Sequence, residues 1–259
     1  MRLRFLGTGA AFTADPANYQ SNMILETDPD SSGRVKRLLI DCGGDARRSL
    51  AALGLSQCDI DAVYVSHLHA DHIGGMEWLG FTTYFNDKLP KPTLYLPEPL
   101  EKPLWEESLK AGMALVDYGV GCLNDFFAVN ALPETGQFSW GPATVTLMPT
   151  LHLLAEDGSE MLSYGLMIQG PNRLAYLTTD TRPNEEVMLP RYTQADLVFQ
   201  DCETASTASG AHSHYTELAK LPAAAKAKMW LYHYQDGAKP DCLEDGFLGW
   251  VQPGQGFEL

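Results

Sequence analysis

Cationic side chains are scarce in this sequence: 18 lysines and arginines face 33 aspartates and glutamates, a formal net charge of −15 at pH 7. Proteins that grip nucleic-acid backbone along its length rely on a surplus of lysine and arginine, so no long nucleic acid is expected as a partner. Cysteine is sparse as well. Cys42, Cys58, Cys122, Cys202 and Cys242 are odd in number, scattered and form no CxxC pair, which argues against a disulfide framework and for a cytoplasmic location. Long apolar runs are also missing. The opening stretch MRLRFLGTGAAFTADP is interrupted by Gly7, Gly9 and Asp15, which suits neither a secretory signal nor a membrane span. No repeat, low-complexity segment or linker interrupts the 259 residues, and that length fits one α/β domain over 1–259.

What is present reads first as strands. LRFL, NMILE and RLLIDCG are short apolar runs separated by turn residues, and TDPDSSGRVKR suits an exposed hairpin loop. DARRSLAALG predicts a helix, with Asp45 as N-cap and Gly54 just past its end. DAVYVS then leads directly into His67. Further strands are predicted at TLYL, ATVTLMP, SYGLMIQ, RLAYLTT, DLVFQ and KMWLYHY, and helices at EKPLWEESLKAG and HYTELAKLP. This order is compatible with two sheets packed face to face and helices outside.

Histidine is rare too, with only seven in the chain, yet three of them and an aspartate crowd into SHLHADH. His67 and His69, two apart on an extended segment, present imidazole nitrogens to the same side and suit one zinc-like cation. Asp71 and His72 follow where a turn swings them toward a second ion. Candidates for the remaining ligands stand near the ends of predicted strands: His152, Asp180 and His233. Taken singly, His152 and His233 read as satisfied buried histidines and Asp180 as a cap of the TDTRPN turn. Together they complete a two-ion site, with His67, His69 and His152 on one ion, Asp71, His72 and His233 on the other, and the Asp180 carboxylate shared. Zinc suits these ligands, and manganese is an alternative.

SHLHADH followed by separate His152, Asp180 and His233 resembles the metallo-β-lactamase fold superfamily, along nearly the whole chain. The resemblance implies a four-layer αββα sandwich with the binuclear site at the sheet edge. FLGTGAAF, LIDCG and SYGL look like its ribonuclease Z branch, which hydrolyses phosphodiesters. The tRNA-gripping arm of that branch would lie between His152 and Asp180, where this sequence has room only for a loop and two strands. Asp180 stands where true β-lactamases of this fold usually carry cysteine, and too little chain follows His233 for a glyoxalase-type helical domain. AHSHYTELA resembles the histidine-bearing loop that ribonuclease Z-like enzymes use beside the scissile phosphate, which makes His212 the first candidate catalytic group there and His214 the second. Asp201 and Glu203, in QDCET, either orient a ligand histidine or cap the loop.

Among compact relatives, SYGL, TTDT, DCET, AHSHY and MWLYHY most resemble phage-type anti-Pycsar enzymes, which cleave cyclic mononucleotides. The implied reaction is metal-dependent hydrolysis of a small cyclic phosphodiester, with Asp71 accepting a proton and His212 steadying phosphate charge or protonating the leaving oxygen. Two divalent ions give an acidic protein a local basin for an anion. The alternatives are a phosphodiesterase of the cyclic ribose phosphate type, a tRNA 3′ endonuclease, and a metal-binding regulator without turnover. The resemblance also implies a homodimer, with the segment 81–138 as the source of an interface or lid. Tyr84, Phe85, Trp140, Tyr164 and Tyr234 offer either a base-stacking surface or ordinary core.

Overall fold

A computed structural model describes residues 1–117 and 119–259; Tyr118, within the expected interface or lid segment, lies outside the described residues. The chain opens with β1 (Arg2–Phe5), β2 (Met23–Glu26), β3 (Arg37–Ile40), β4 (Ala62–Tyr64) and β5 (Thr93–Pro97). A separate pair, β6 (Leu115–Val116) and β7 (Gly119–Val120), precedes β8 (Ala128–Leu132). The second half lays down β9 (Gln137–Trp140), β10 (Ala143–Leu154), β11 (Glu160–Gln169), β12 (Leu174–Leu177), β13 (Leu197–Asp201), β14 (Met229–Tyr232) and β15 (Gly249–Trp250). Finally β16 (Gly256–Glu258) returns to pair with β1. The two large sheets run β16-β1-β2-β3-β4-β5-β8 and β15-β14-β13-β12-β11-β10-β9.

Alternation along each strand explains the layering, because successive side chains point to opposite faces. Leu38, Ile40, Ala62 and Tyr64 join Leu166, Leu177, Leu197 and Phe199 in one core between the sheets. Leu39 and Val63 face the other way, onto Leu50 of the helix Ala46–Ala52 and Met76 and Leu79 of the helix Met76–Tyr84. On the far side, Tyr176, Val198 and Leu231 pack against Met188 and Tyr192 of the helix Glu185–Gln194. Strands buried on both faces read as continuous apolar runs such as RLLI, as expected for interior strands. The result is the αββα sandwich of the metallo-β-lactamase fold.

The strands that carry the site are parallel to their neighbours. β3 pairs parallel with β4, and β12, β13 and β14 are parallel in sequence. Their carboxyl ends therefore open at one edge, the usual place for ligands in sheets so connected.

Some local expectations needed correction. The helix at Ala46–Ala52 forms and Gly54 follows it at φ +72°, but Asp45 donates no cap; its carboxylate accepts from the backbone N–H of Gln20 at 2.9 Å. EKPLWEESLKAG is helical, yet a widened π-type turn occupies Leu104–Leu109 directly after Pro103, whose missing N–H breaks the regular ladder. The helix of HYTELAKLP is confined to Tyr215–Leu218, since Pro222 disfavours helical backbone just before it. β6, β7, β8, β9, β15 and β16 were not legible as strands. Trp140, Tyr164 and Tyr234 are buried, so of the five aromatic candidates only Phe85 is substantially exposed. Among the described residues no helix is long and apolar enough to cross a membrane.

Candidate metal centre

Local backbone geometry, more than side-chain choice alone, aims the ligands. His69 is the N-cap of the short helix Ala70–Ile73, so His67 and His69 come from the extended entry and Asp71 and His72 from the first turn. That turn is pinned to the end of β3: the Cys42 N–H donates to the His72 carbonyl at 2.7 Å, and a Cβ on Gly43 would stand 2.0 Å from the Asp71 carbonyl oxygen. Only glycine permits so close an approach. His152 sits where the β10–β11 register shifts between Leu151 and Leu153, a bulge that re-aims its side chain. Asp180 and His233 follow β12 and β14.

Among the described residues, three that are not glycine have positive φ: Asp41 at 61°, Thr179 at 53° and His233 at 62°. Each costs on the order of 1–3 kcal/mol, and such strain collects where surrounding structure over-determines it. Thr179, β-branched and the least tolerant of the three, is held by hydrogen bonds to Ser163 Oγ at 2.8 Å and to the Thr178 carbonyl at 2.6 Å.

The sequence-predicted residues converge into two adjacent groups. In one, His69 Nδ1 lies 3.1 Å from His67 Nε2 and 3.2 Å from His152 Nε2, and Asp180 Oδ2 lies 3.7 and 3.8 Å from the latter two nitrogens. In the other, His72 Nε2 is 3.2 Å from Asp71 Oδ2 and 3.3 Å from Asp180 Oδ2, while His233 Nε2 is 3.5 Å from both carboxylates. Asp180 belongs to both groups, and to a third that overlaps the second, with Asp201, His212 and His233. His72 Nε2, His233 Nε2 and Asp180 Oδ1 are buried and have no hydrogen-bond partner. Buried atoms of this kind are costly unless something satisfies them, and imidazole nitrogens converging with carboxylate oxygens are the donor set of a zinc-type cation. The residues fit divalent metal.

The backs of His72 and His152 are hydrogen-bonded in turn, and that of His233 faces a carboxylate, which orients ligands and tunes their basicity. His72 Nδ1 meets Asp41 Oδ2 at 2.7 Å, and Asp41 also accepts from the Ser66 N–H at 2.8 Å. His233 Nδ1 lies 3.3 Å from Asp201 Oδ1, and His152 Nδ1 donates to the Ala211 carbonyl at 3.0 Å. Asp201 thus orients, whereas Glu203 caps the loop by accepting from the Ser209 N–H.

His212 and His214 part company. His212 Nδ1 donates to Asp201 Oδ2 at 3.0 Å and lies 3.9 Å from Asp180 Oδ2, with its ring stacked 4.8 Å from that of His233. It is at the centre. His214 is a correction: it is the N-cap of the helix Tyr215–Leu218, where Nδ1 accepts from the Thr216 N–H while Nε2 donates to the Ala205 carbonyl at 2.8 Å. Both ring nitrogens are occupied structurally, and it joins none of the metal-competent groups.

Residues 1–257 match the family model described as Anti-Pycsar protein Apyc1. The chain belongs to this family. Anti-Pycsar protein Apyc1 of Paenibacillus harenae is 32% identical over 262 residues, spanning 100% of both chains. That of Bacillus phage vB_BveM-Goe7 is 30% identical, covering 98% of this chain and 96% of its own. Among solved structures, the metallo-β-lactamase fold protein YhfI from Bacillus subtilis superposes with a TM-score of 0.73 at 18% identity, covering 99% of this chain and 98% of its own. Human tRNase Z, short form, superposes at 0.67 and 17% identity, covering 100% and 99%. These two likenesses establish the fold. The Apyc1-family chain is a metal-dependent hydrolase of the phosphodiesterase class.

Electrostatics distinguishes the two groups of this Apyc1-family site. Burial, aided by neighbouring imidazoles, pushes His67 well below the ordinary histidine range, lowers His69, and brings His152 down to about 4. These rings are neutral at neutral pH and have lone pairs to give. Burial also opposes charge on His72 and His233, but Asp180 with Asp41 and Asp71 in the first case, and Asp180, Asp201 and Asp71 in the second, outweigh it and hold both well above that range. Without metal these two carry protons. A cation entering the Asp71–His72–Asp180–His233 group must displace them, so its affinity rises with pH, while the His67–His69–His152 group, whose rings are all shifted down, has little to displace near neutrality. Calorimetric titration of metal-stripped protein in buffers of different ionisation enthalpy checks this: the weaker, pH-dependent equivalent should release about one to two protons and the other almost none. Two equivalents with equal pH dependence would contradict it.

Sequence reasoning missed Asp41 and left Asp201 ambiguous. The signal for both is a buried acidic residue closing an apolar strand, LLID and LVFQD, next to a segment that carries ligands.

Proposed function

We propose that this protein opens 3′,5′-cyclic mononucleotides to linear nucleoside monophosphates. The observation that carries the reading is the pair of ligand groups sharing Asp180, with His212 beside them. In this reading His67, His69 and His152 hold one ion, Asp71, His72 and His233 the other, and both are zinc or, in its place, manganese. Bound there, two divalent cations supply a nucleophile from water at neutral pH and offset charge that grows on the phosphoryl oxygens.

The chain's own residues do the rest. Burial pushes the Asp71 carboxyl up, but protonated His72 and His233 outweigh it and keep it ionised; a cation on those two imidazoles would displace their protons and lift that depression, leaving the carboxylate to accept the water's proton. Burial opposes charge on His212 likewise, yet Asp201 raises it above the ordinary range, so the imidazolium is available near neutrality. With Nδ1 committed to Asp201, Nε2 is the atom left to protonate the ribose oxygen as its bond to phosphorus breaks. Water is added across one ester bond, and both ends stay in one molecule.

A small substrate is supported by what lies between His152 and Asp180. β10 turns into β11 through the short loop 155–159, and β12 follows at once, leaving no segment for a tRNA-gripping arm. The excess of acidic residues over the whole chain also disfavours a long polyanion. The site draws ligands from both sheets, consistent with residues 1–259 acting as one domain. We further propose a cytoplasmic homodimer, with exposed Leu115 and Val120 on the β6–β7 pair offering apolar surface.

Chromatography after incubation of metal-loaded enzyme with cyclic mononucleotides and with precursor tRNA tests the substrate. Linear monophosphates from more than one base and untrimmed tRNA are expected. Trimmed tRNA beside intact cyclic nucleotides would overturn the reading, and inertness toward both would favour another small diester, such as a cyclic ribose phosphate, or a regulator.

A further inference from the structure

Phe12 is the most solvent-exposed large apolar side chain among the described residues, with 97% of its surface accessible. A lone exposed aromatic usually needs no explanation, but this one stands on a loop fastened on both sides to the second ion group. On one side, the Ala10 N–H donates to the Tyr234 carbonyl at 3.0 Å, directly after the ligand His233. Asp236 then gathers the loop, accepting from Thr13 Oγ1 at 2.5 Å, the Ala14 N–H at 2.7 Å and the Asp15 N–H at 3.1 Å. On the other side, Gln20 Nε2 donates to the Ala11 carbonyl at 3.1 Å. The Gln20 side-chain oxygen lies against Gly43, which itself abuts the backbone of Asp71. Phe12 is therefore held one residue beyond an anchor to the Asp71 side and two beyond an anchor to the His233 side, and among the described residues nothing packs over its ring.

We infer that Phe12 is a substrate-binding residue that receives the flat base, stacking on it at the rim of the second ion group. The inference rests on the functional reading above. Ring stacking is tolerant of base identity because every base has a π-face, which agrees with the turnover of more than one base expected above. A pinned loop also limits the ordering entropy that a flexible platform would lose on binding.

Kinetics of the intact, metal-loaded enzyme decide the matter. Phe12→Ala should raise KM for 3′,5′-cyclic mononucleotides by about 10-fold, the usual scale of losing one aromatic–base stack, with kcat changed little. Phe12→Tyr should restore the wild-type KM. An abasic 3′,5′-cyclic ribose phosphate should show the same KM with wild type and Phe12→Ala. An unchanged KM for the nucleotides, or an equal rise with the abasic compound, would overturn the role of Phe12 alone. So would a fall in oligomer mass by light scattering without a KM change, which would make Phe12 a contact between copies. Absence of cyclic-nucleotide turnover in the wild type would overturn the inference together with the functional reading.

Discussion

Asp180→Ala is expected to weaken both ions together and to abolish practical turnover. Asp180 Oδ2 lies within 3.9 Å of nitrogens on His67, His72 and His152, and Oδ1 lies 3.5 Å from His233. It is the one carboxylate common to both ligand groups. Losing an outer partner of a metal ligand commonly costs about 10–100-fold in affinity or activity, and losing a shared inner ligand should exceed that. The side chain is buried, so the variant also leaves a polar hole among charged rings. Asp180→Asn serves as the shape-preserving control: it keeps one neutral oxygen but not the charge. Metal content after dialysis, measured with turnover on the same samples, is the check. Retention of both ions at wild-type affinity in the alanine variant would refute the shared position.

The second large effect separates His212 from its neighbour two positions on. His212→Ala should reduce kcat by roughly 10² or more, the common contribution of a positioned general acid, while metal content stays unchanged, since His212 belongs to neither of the two proposed ligand groups. The raised pKa sets the sign of the pH effect. In the wild type the protonated ring works below its pKa and kcat falls as pH rises through it, so the alanine variant should lose that alkaline limb. His214→Ala should keep turnover and lose stability instead, by about 0.5–2 kcal/mol for an N-cap, visible as a lower denaturation midpoint. Equal activity after the first change, or a larger kinetic loss after the second, would reverse the assignment.

Legibility followed sequence distance. The SHLHADH ligands were readable because two-residue alternation and a single helical turn are local rules, and both operate within six consecutive residues. His152, Asp180 and His233 were readable one step less directly, as metal-binding types at the ends of apolar runs. Strands interior to a sheet, such as RLLI and LVFQ, announced themselves by composition. β8, with AVNAL, and the short β16 did not, because edge pairing requires little apolar bulk and its partner lies far along the chain.

The sequence by itself determined the chemistry: a scarcity of cations, a concentration of imidazole and carboxylate, and apolar runs compatible with a layered sandwich. Tertiary structure decided which atoms act together. His212 and His214 look alike in AHSHY, but the chain bends at His212 and His214 caps the helix that follows, so one ring goes to Asp201 and the centre and the other back to its own helix and Ala205. Asp41 and Asp201 acquired their roles from strand ends placed beside His72 and His233, contacts that span about 30 residues of chain in each case. Likewise Phe12 is an ordinary aromatic in FLGTGAAF until its loop is tied to Tyr234 and Asp236, more than 200 positions away. Residue type limits what a group can do, whereas burial, charge and partner are properties of the neighbours that folding brings in, and these set which groups do it.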